Sequence, residues 1–111
     1  MTDQMNEALD TLFDRIVDDY ARFVKDFDHP RVDRFHAGLT ISGGKKYIKI
    51  IKGDTKDDQT TVWGFIVKED DEKFRSGDIL KAASWATPAR NKPRGNVLQG
   101  DFSWVRWTGV A

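Results

Sequence analysis

At 111 residues, with 18 basic and 18 acidic side chains and no net charge, the chain fits one domain of the usual roughly 50–200 residues and has no overall charge to draw a polyanion. It contains no cysteine, which excludes disulfides, thiolate metal sites and thiol nucleophiles together and suits a reducing cytoplasm. Residues 1–10 are acidic and polar instead of basic then apolar, and no apolar run approaches the ~20 residues of a bilayer span, so a soluble protein without a secretory leader or membrane segment is expected.

The spacing predicts a helix over residues 1–28. Met5, Leu9, Phe13, Ile16, Tyr20, Phe23 and Phe27 recur at intervals of four and three, and Leu12, Val17 and Val24 widen the stripe. Thr2 or Asp3 can cap the start, and Asp3 and Glu7 suit the positive end of the helix dipole. Pro30 ends it, because the residue before a proline is pushed out of the α region. The stripe lasts about three heptads, the lower limit for a coiled coil, so it reads as a core-facing helix with a helix-mediated homodimer as the alternative.

Beyond Pro30 the period becomes two. A strand is expected over residues 35–41, with Phe35, Ala37, Leu39 and Ile41 on one face. Ser42-Gly43-Gly44 predicts a tight turn using positive φ, and residues 45–52 the returning strand, with Ile48 and Ile50 on one side and Tyr47, Lys49 and Ile51 on the other. Residues 60–68 form the strongest strand, with Trp63, Phe65 and Val67 facing one way and Val62 and Ile66 the other. Gly64 marks a bulge or a close neighbour. After the acidic turn at 69–72, residues 79–83 suggest a short strand or helical turn. Residues 87–96 form an irregular loop broken by Pro88, Pro93 and Gly95, and residues 102–108 a closing strand. A helix followed by closely spaced strands is an α+β arrangement: a long N-terminal amphipathic helix on a small antiparallel sheet spanning residues 34–111, flat or curled toward partial closure, in a single domain.

Catalytic chemistry finds little here. The two histidines, His29 and His36, have no recognisable serine partner, and no nucleophile elbow surrounds Ser42, Ser76, Ser84 or Ser103. Asp57-Asp58 and Glu69-Asp70-Asp71-Glu72 lie in turns, where consecutive carboxylates are ordinarily solvated. Asp54, Lys56 and Asp58 place a lysine where a calcium loop needs an oxygen. Ser42-Gly43-Gly44-Lys45-Lys46 has glycines and lysines without P-loop spacing and leads into a strand. No catalytic residue, cofactor or metal is therefore assigned, and a non-enzymatic protein is expected.

The charges are segregated. Eight acids (Asp3, Glu7, Asp10, Asp14, Asp18, Asp19, Asp26, Asp28) face three bases up to residue 28, whereas Lys81, Arg90, Lys92, Arg94 and Arg106 face only Asp78 and Asp101 from residue 76 onward. Within the basic end, Trp85 precedes Arg90, Lys92 and Arg94, and Arg106 and Trp107 follow. Cations that neutralise phosphates beside aromatic faces that stack on bases are what nucleic-acid binding requires. The competing reading is core tryptophans and a solvated basic loop. A third is a protein-interaction module that pairs with a second copy or a host protein through the helix or a strand edge.

The runs Gly77-Asp78-Ile79-Leu80-Lys81-Ala82-Ala83-Ser84-Trp85, Pro88-Ala89-Arg90, Arg94-Gly95-Asn96 and Trp107-Thr108-Gly109 resemble short uncharacterised proteins of tailed bacteriophages, of the marine cyanobacterial phage type. Tyr47-Ile48-Lys49-Ile50 and Val62-Trp63-Gly64-Phe65-Ile66-Val67 fit the strands that precede them, so the resemblance covers the C-terminal two-thirds of the chain. It implies a virus-encoded protein in the cytoplasm of an infected bacterium, and it brings no activity, cofactor or site residue.

Overall fold

The computed structural model describes residues 3–24, 35–54, 59–90 and 92–110. Helix α1 runs from Asp3 to Val24. It turns Met5, Leu9, Leu12, Ile16 and Tyr20 inward, and Leu12 and Ile16 are wholly inaccessible. Each fully buried side chain of this size contributes about 1.5–3 kcal/mol. The buried line passes through Leu12, leaving Phe13 half-buried at its margin. This stripe packs within its own chain, so it is not available to a second helix. Pro30 and His29, the expected helix end, lie outside the described residues.

Four strands, β1 (Thr40–Gly43), β2 (Tyr47–Asp54), β3 (Gln59–Val67) and β4 (Ile79–Leu80), form an antiparallel sheet in that order. A hairpin of β5 (Val105–Arg106) and β6 (Gly109–Val110) makes a second, two-stranded sheet. The arrangement is the α+β architecture expected, and the main sheet does not close into a barrel.

Residues 35–37 are helical, not the start of a strand. The Phe35 ring stacks on Tyr20 at 4.2 Å between centroids, and the Gly38 and Leu39 amides donate to the Phe35 and His36 carbonyls. Local turn bonds and the aromatic stack override the alternating pattern. The β1–β2 turn is also displaced. Gly43 ends the strand, and Lys45-Lys46 occupy the tip, closed by the Gly44 amide on the Tyr47 carbonyl at 2.9 Å. Neither Gly43 nor Gly44 has the positive φ expected of it. The closing strand over 102–108 is reduced to β5. The Trp107 amide donates to the Asp19 carboxylate of α1 (2.8 Å), which holds Trp107 in a turn.

The faces of β3 also differ from strict alternation. Ile50 pairs with Gly64 while Ile51 pairs with Val62, so Trp63 is an extra residue in a bulge. The bulge moves Trp63 to the helix side with Ile48, Ile50, Ile66 and Ile79, and leaves Val62, Phe65 and Val67 together on the other face with Phe74 and Leu80. Buried Trp63 donates its indole N–H to the Arg106 carbonyl at 2.7 Å, joining the two sheets. Gly64 is the close-approach position: a Cβ there would lie 2.9 Å from Val110 Cγ2 and 3.0 Å from the Leu80 carbonyl oxygen.

Residues 94–97 lie along the outer edge of β4. The Ile79 amide donates to the Gly95 carbonyl, and the Arg94 and Val97 amides donate to Ile79 and Gly77. A buried polar knot locks this edge. The Asn96 carboxamide nitrogen donates to the Ser76 carbonyl (3.0 Å) and the Asp78 carboxylate (2.9 Å), and its oxygen accepts the Leu98 and Gln99 amides (2.8 and 3.0 Å). The second Asp78 oxygen accepts the Arg75 amide at 2.9 Å. Gly77, at φ +91°, brings its Cα face so close that a Cβ would sit 2.7 Å from the Asn96 oxygen. Replacing Asn96 by Ala leaves two amides, a carbonyl and a carboxylate oxygen short of a partner. The expected cost is roughly 2–4 kcal/mol, read as a lowered urea midpoint.

Candidate functional site

The loop that follows β4 is more ordered than its composition suggests. The Ala89 amide donates to the Lys81 carbonyl at 2.7 Å, Ala82 bridges to Pro88, and the Ala83 and Ser84 amides both donate to the Thr87 carbonyl. The Ser84 hydroxyl accepts the Ala86 and Thr87 amides and bonds the Thr87 hydroxyl at 2.8 Å. Small and hydroxylated residues thus build a short hairpin, and Trp85 stands at its tip, 52% exposed. The hairpin lies over the sheet face away from α1. There the Lys49 ammonium sits 4.6 Å from the centroid of the Trp85 ring, a cation–π contact.

Arg90 holds the base of this hairpin to the sheet. Its guanidinium donates to the Tyr47 hydroxyl and to Asp71 Oδ2 (3.2 Å), and lies 5.0 Å from the Phe74 ring centroid. The Lys73 ammonium donates to the Arg90 carbonyl. The acidic turn is equally committed: Asp71 Oδ1 accepts the Phe74 and Lys73 amides (2.7 and 2.8 Å), and Asp70 accepts the Ser76 amide (2.7 Å). Those two amides, Phe74 first, and then Arg90 hold the Asp71 carboxyl below its ordinary range, and Asp71 with Tyr47 raises Arg90 in turn.

Trp85 and Arg90 therefore stand at the tip and the base of one hairpin over the same sheet face, and Lys92 is an exposed residue in the connection that follows. Arg94 is half-buried along the β4 edge. Arg106 and Trp107 are not brought to this face. Trp107 packs edge-on to Tyr20 and Phe35 in the helix-side layer, and Arg106 is its neighbour on β5. Lys52 lies 5.2 Å from the Trp107 ring and donates to the Trp107 and Thr108 carbonyls; burial pushes this ammonium below the ordinary lysine value. Of the four tryptophans, Trp63 is core, Trp107 half-buried, and Trp85 and Trp104 exposed.

Tyr47 and Lys49 are the members of the site that sequence reasoning left out. Their spacing of two already placed them on one face, but which loop that face would meet depends on the hairpin at 81–89. Between the Trp85 hairpin and the β1–β2 tip lies a cleft of about 230 Å³, bordered by Ser42, Lys45, Lys46, Lys49, Phe65 and Ala86. The side chains here offer ammonium groups, an aromatic face and hydroxyls, a set suited to holding an anion beside a flat ring. Among the described residues no group of three or more histidines, cysteines or carboxylates could hold a metal ion. Asp57-Asp58 and the supposed calcium loop fall outside them. No described helix is long and apolar enough to cross a membrane.

Residues 2–109 match the model of a family of unknown function, DUF7717. No curated protein and no solved structure matches the chain.

The hydrogen bonds that the Asp71 carboxylate accepts, from the Phe74 and Lys73 amides first and then from Arg90, give a pH dependence with a defined sign. Because the folded carboxyl titrates below its ordinary value of 3.8, they contribute above that value and are lost as pH falls through the lower folded one. Urea midpoints measured from about pH 5 down to about pH 2 should fall less steeply for Asp71→Asn than for the parent chain.

Proposed function

We propose that this chain, which belongs to DUF7717, is a small non-enzymatic accessory protein that binds single-stranded nucleic acid on the sheet face carrying Tyr47, Lys49 and Trp85. The observation that carries the reading is the exposed Trp85 ring, presented at a hairpin tip with the Lys49 ammonium against it. The ring stands half in water, where a flat ligand can reach it. A base needs such a ring to stack on, and a phosphate needs a cation within reach of it. Arg90, whose side chain is 42% exposed, adds a cation at the base of the same hairpin. Duplexes are disfavoured, because stacking on Trp85 requires an unpaired base.

The non-enzymatic reading rests on the sequence, which has no cysteine and only two histidines, neither with a recognisable serine partner. The resemblance of the C-terminal two-thirds of the chain to tailed-phage proteins leads us to place the protein in the cytoplasm of an infected bacterium, encoded by a tailed phage. A single-strand binder fits there, because replicating viral genomes expose single strands.

Trp85 fluorescence titrated with oligothymidylate should quench and saturate, with affinity falling as salt rises. Trp85→Ala should lower affinity about 5- to 150-fold, and Lys49→Gln should reduce the salt slope by about one. Affinity that ignores salt, or quenching that survives in Trp85→Ala, would sink the reading.

A second reading is favoured by one observation. The outer edge of β4 is covered by residues 94–97, whereas β1 is exposed along its whole length and carries no charge or proline, with Ile41 43% exposed. Edge-to-edge pairing of two β1 strands would join two sheets. Light scattering at high concentration should then give twice 12.7 kDa, and Ile41→Lys should return the monomer. A parent chain that stays monomeric removes this version.

A further inference from the structure

The β1–β2 tip has no role in the binding surface argued above, yet its construction is unusual for a simple turn. Two adjacent lysines, Lys45 and Lys46, occupy the tip with both side chains exposed. Among the described residues neither makes an ion pair, and neither tip amide donates to a protein acceptor. A third cation, Lys68, donates to the Gly44 carbonyl at 2.7 Å and fixes the tip against β3. A fourth, Lys49, projects from β2 into the same cleft and connects it to Trp85.

The tip has two sides. On one it meets Glu69, Asp70 and Asp71 across a cleft of about 150 Å³. On the other it faces Ser42, Lys49 and Ala86 across the 230 Å³ cleft, where no acid contributes to the wall. Asp70 and Asp71 direct carboxylate oxygens at their own turn's amides and at Arg90, so their hydrogen-bonding capacity is engaged away from the tip. An anion is therefore favoured on the Lys49 side alone.

Size narrows the ligand. The 230 Å³ cleft is below the roughly 300–1,000 Å³ typical of drug-sized ligands and opens to solvent, so it suits a small anionic group such as a phosphate. Ala86 borders the cleft, and its chain neighbour Trp85 offers an exposed ring to a base carried by that phosphate.

Resting on the single-strand reading and deepening it, we propose that the cleft between the two hairpin tips is a one-nucleotide subsite. Lys45, Lys46 and Lys49 take the phosphate of a nucleoside phosphate while its base stacks on Trp85. The ligand class is a nucleoside phosphate, either free or as one unit of a strand.

The test is amide and indole chemical-shift mapping of the full chain with thymidine, thymidine monophosphate, inorganic phosphate and an octathymidylate, at matched ionic strength. Thymidine monophosphate should move the Lys45 and Lys46 amides together with the Trp85 indole, and thymidine should leave the tip unmoved. Octathymidylate should move the same set, and Lys45→Gln with Lys46→Gln should weaken it by about tenfold or more. Saturation by the monophosphate at lower concentration than by the octamer identifies the free nucleotide as the ligand; the reverse order identifies the strand. Equal tip shifts with inorganic phosphate and the monophosphate, with Trp85 unmoved, would overturn the subsite. If octathymidylate moves Trp85 while the tip stays still, the subsite fails and the single-strand reading stands. If nothing moves, both fail.

Discussion

The carboxamide of Asn96 is the interaction on which the rest of this architecture depends. It is buried, and its nitrogen and oxygen together make four hydrogen bonds to residues on both sides of the β4 edge. An amide removed from water is costly unless its donors and acceptors are matched, so this side chain permits few alternative placements of residues 76–78 and 96–99. Fixing those two segments fixes both ends of the chain between them. The hairpin at 81–89 leaves β4 in one direction only, and the Arg90 tie to Tyr47 and Asp71 then lays it on the sheet.

The bulge at Trp63 supplies the surface on which that hairpin rests. Unbroken alternation would group Trp63 with Phe65 and Val67, and it would leave the helix side without its largest buried side chain. With one extra residue, β3 gives Trp63 and Ile66 to the helix side and Val62, Phe65 and Val67 to the other. The sheet is then apolar on both faces, and each needs a cover. Helix α1 covers one; Phe74, Tyr47 and the basic hairpin cover the other. The described part of the acidic N-terminal segment lies with α1 on one side of the sheet, whereas the other side carries both Lys49, Arg90 and the lysines of the tip and the acids Asp70 and Asp71. Trp107 and Lys52 join the acidic side because Asp19 and the aromatic stack with Tyr20 hold them there.

Elements whose residues answer mainly to their own neighbours were legible in the sequence. The helix, the β2 and β3 strands and the two sides of β2 followed from period alone. What period does not carry is competition from distant partners. Phe35 leaves the strand pattern for a ring on α1, and Trp107 leaves it for a carboxylate 88 positions away. The displaced turn at Lys45-Lys46 likewise meets a distant partner, Lys68 just past β3, whose ammonium donates to the Gly44 carbonyl. Trp85, Arg90 and Lys92 could be picked out by residue type. Tyr47, Lys49 and the tip could not, because nothing local to 42–49 says that the loop at 81–89 folds over them.

The runs from Gly77 to Trp85 and from Pro88 to Asn96 look like a single motif in sequence but separate physically into two kinds of residue. Gly77, Asp78, Gly95 and Asn96 build the knot, and Ser84, Thr87, Pro88 and Ala89 build the hairpin; their chemistry is consumed inside the fold. Arg90 is half consumed, bound to Asp71 and Tyr47 while 42% of its side chain stays in water. Trp85 is the exception. Its ring is half exposed with the Lys49 ammonium against it, and it lies outside both buried apolar clusters. The turn closed by Ser84 and Thr87 has room for a small polar residue at that place. The ring and the Lys49 ammonium against it are therefore the part of this motif that the fold leaves at the surface.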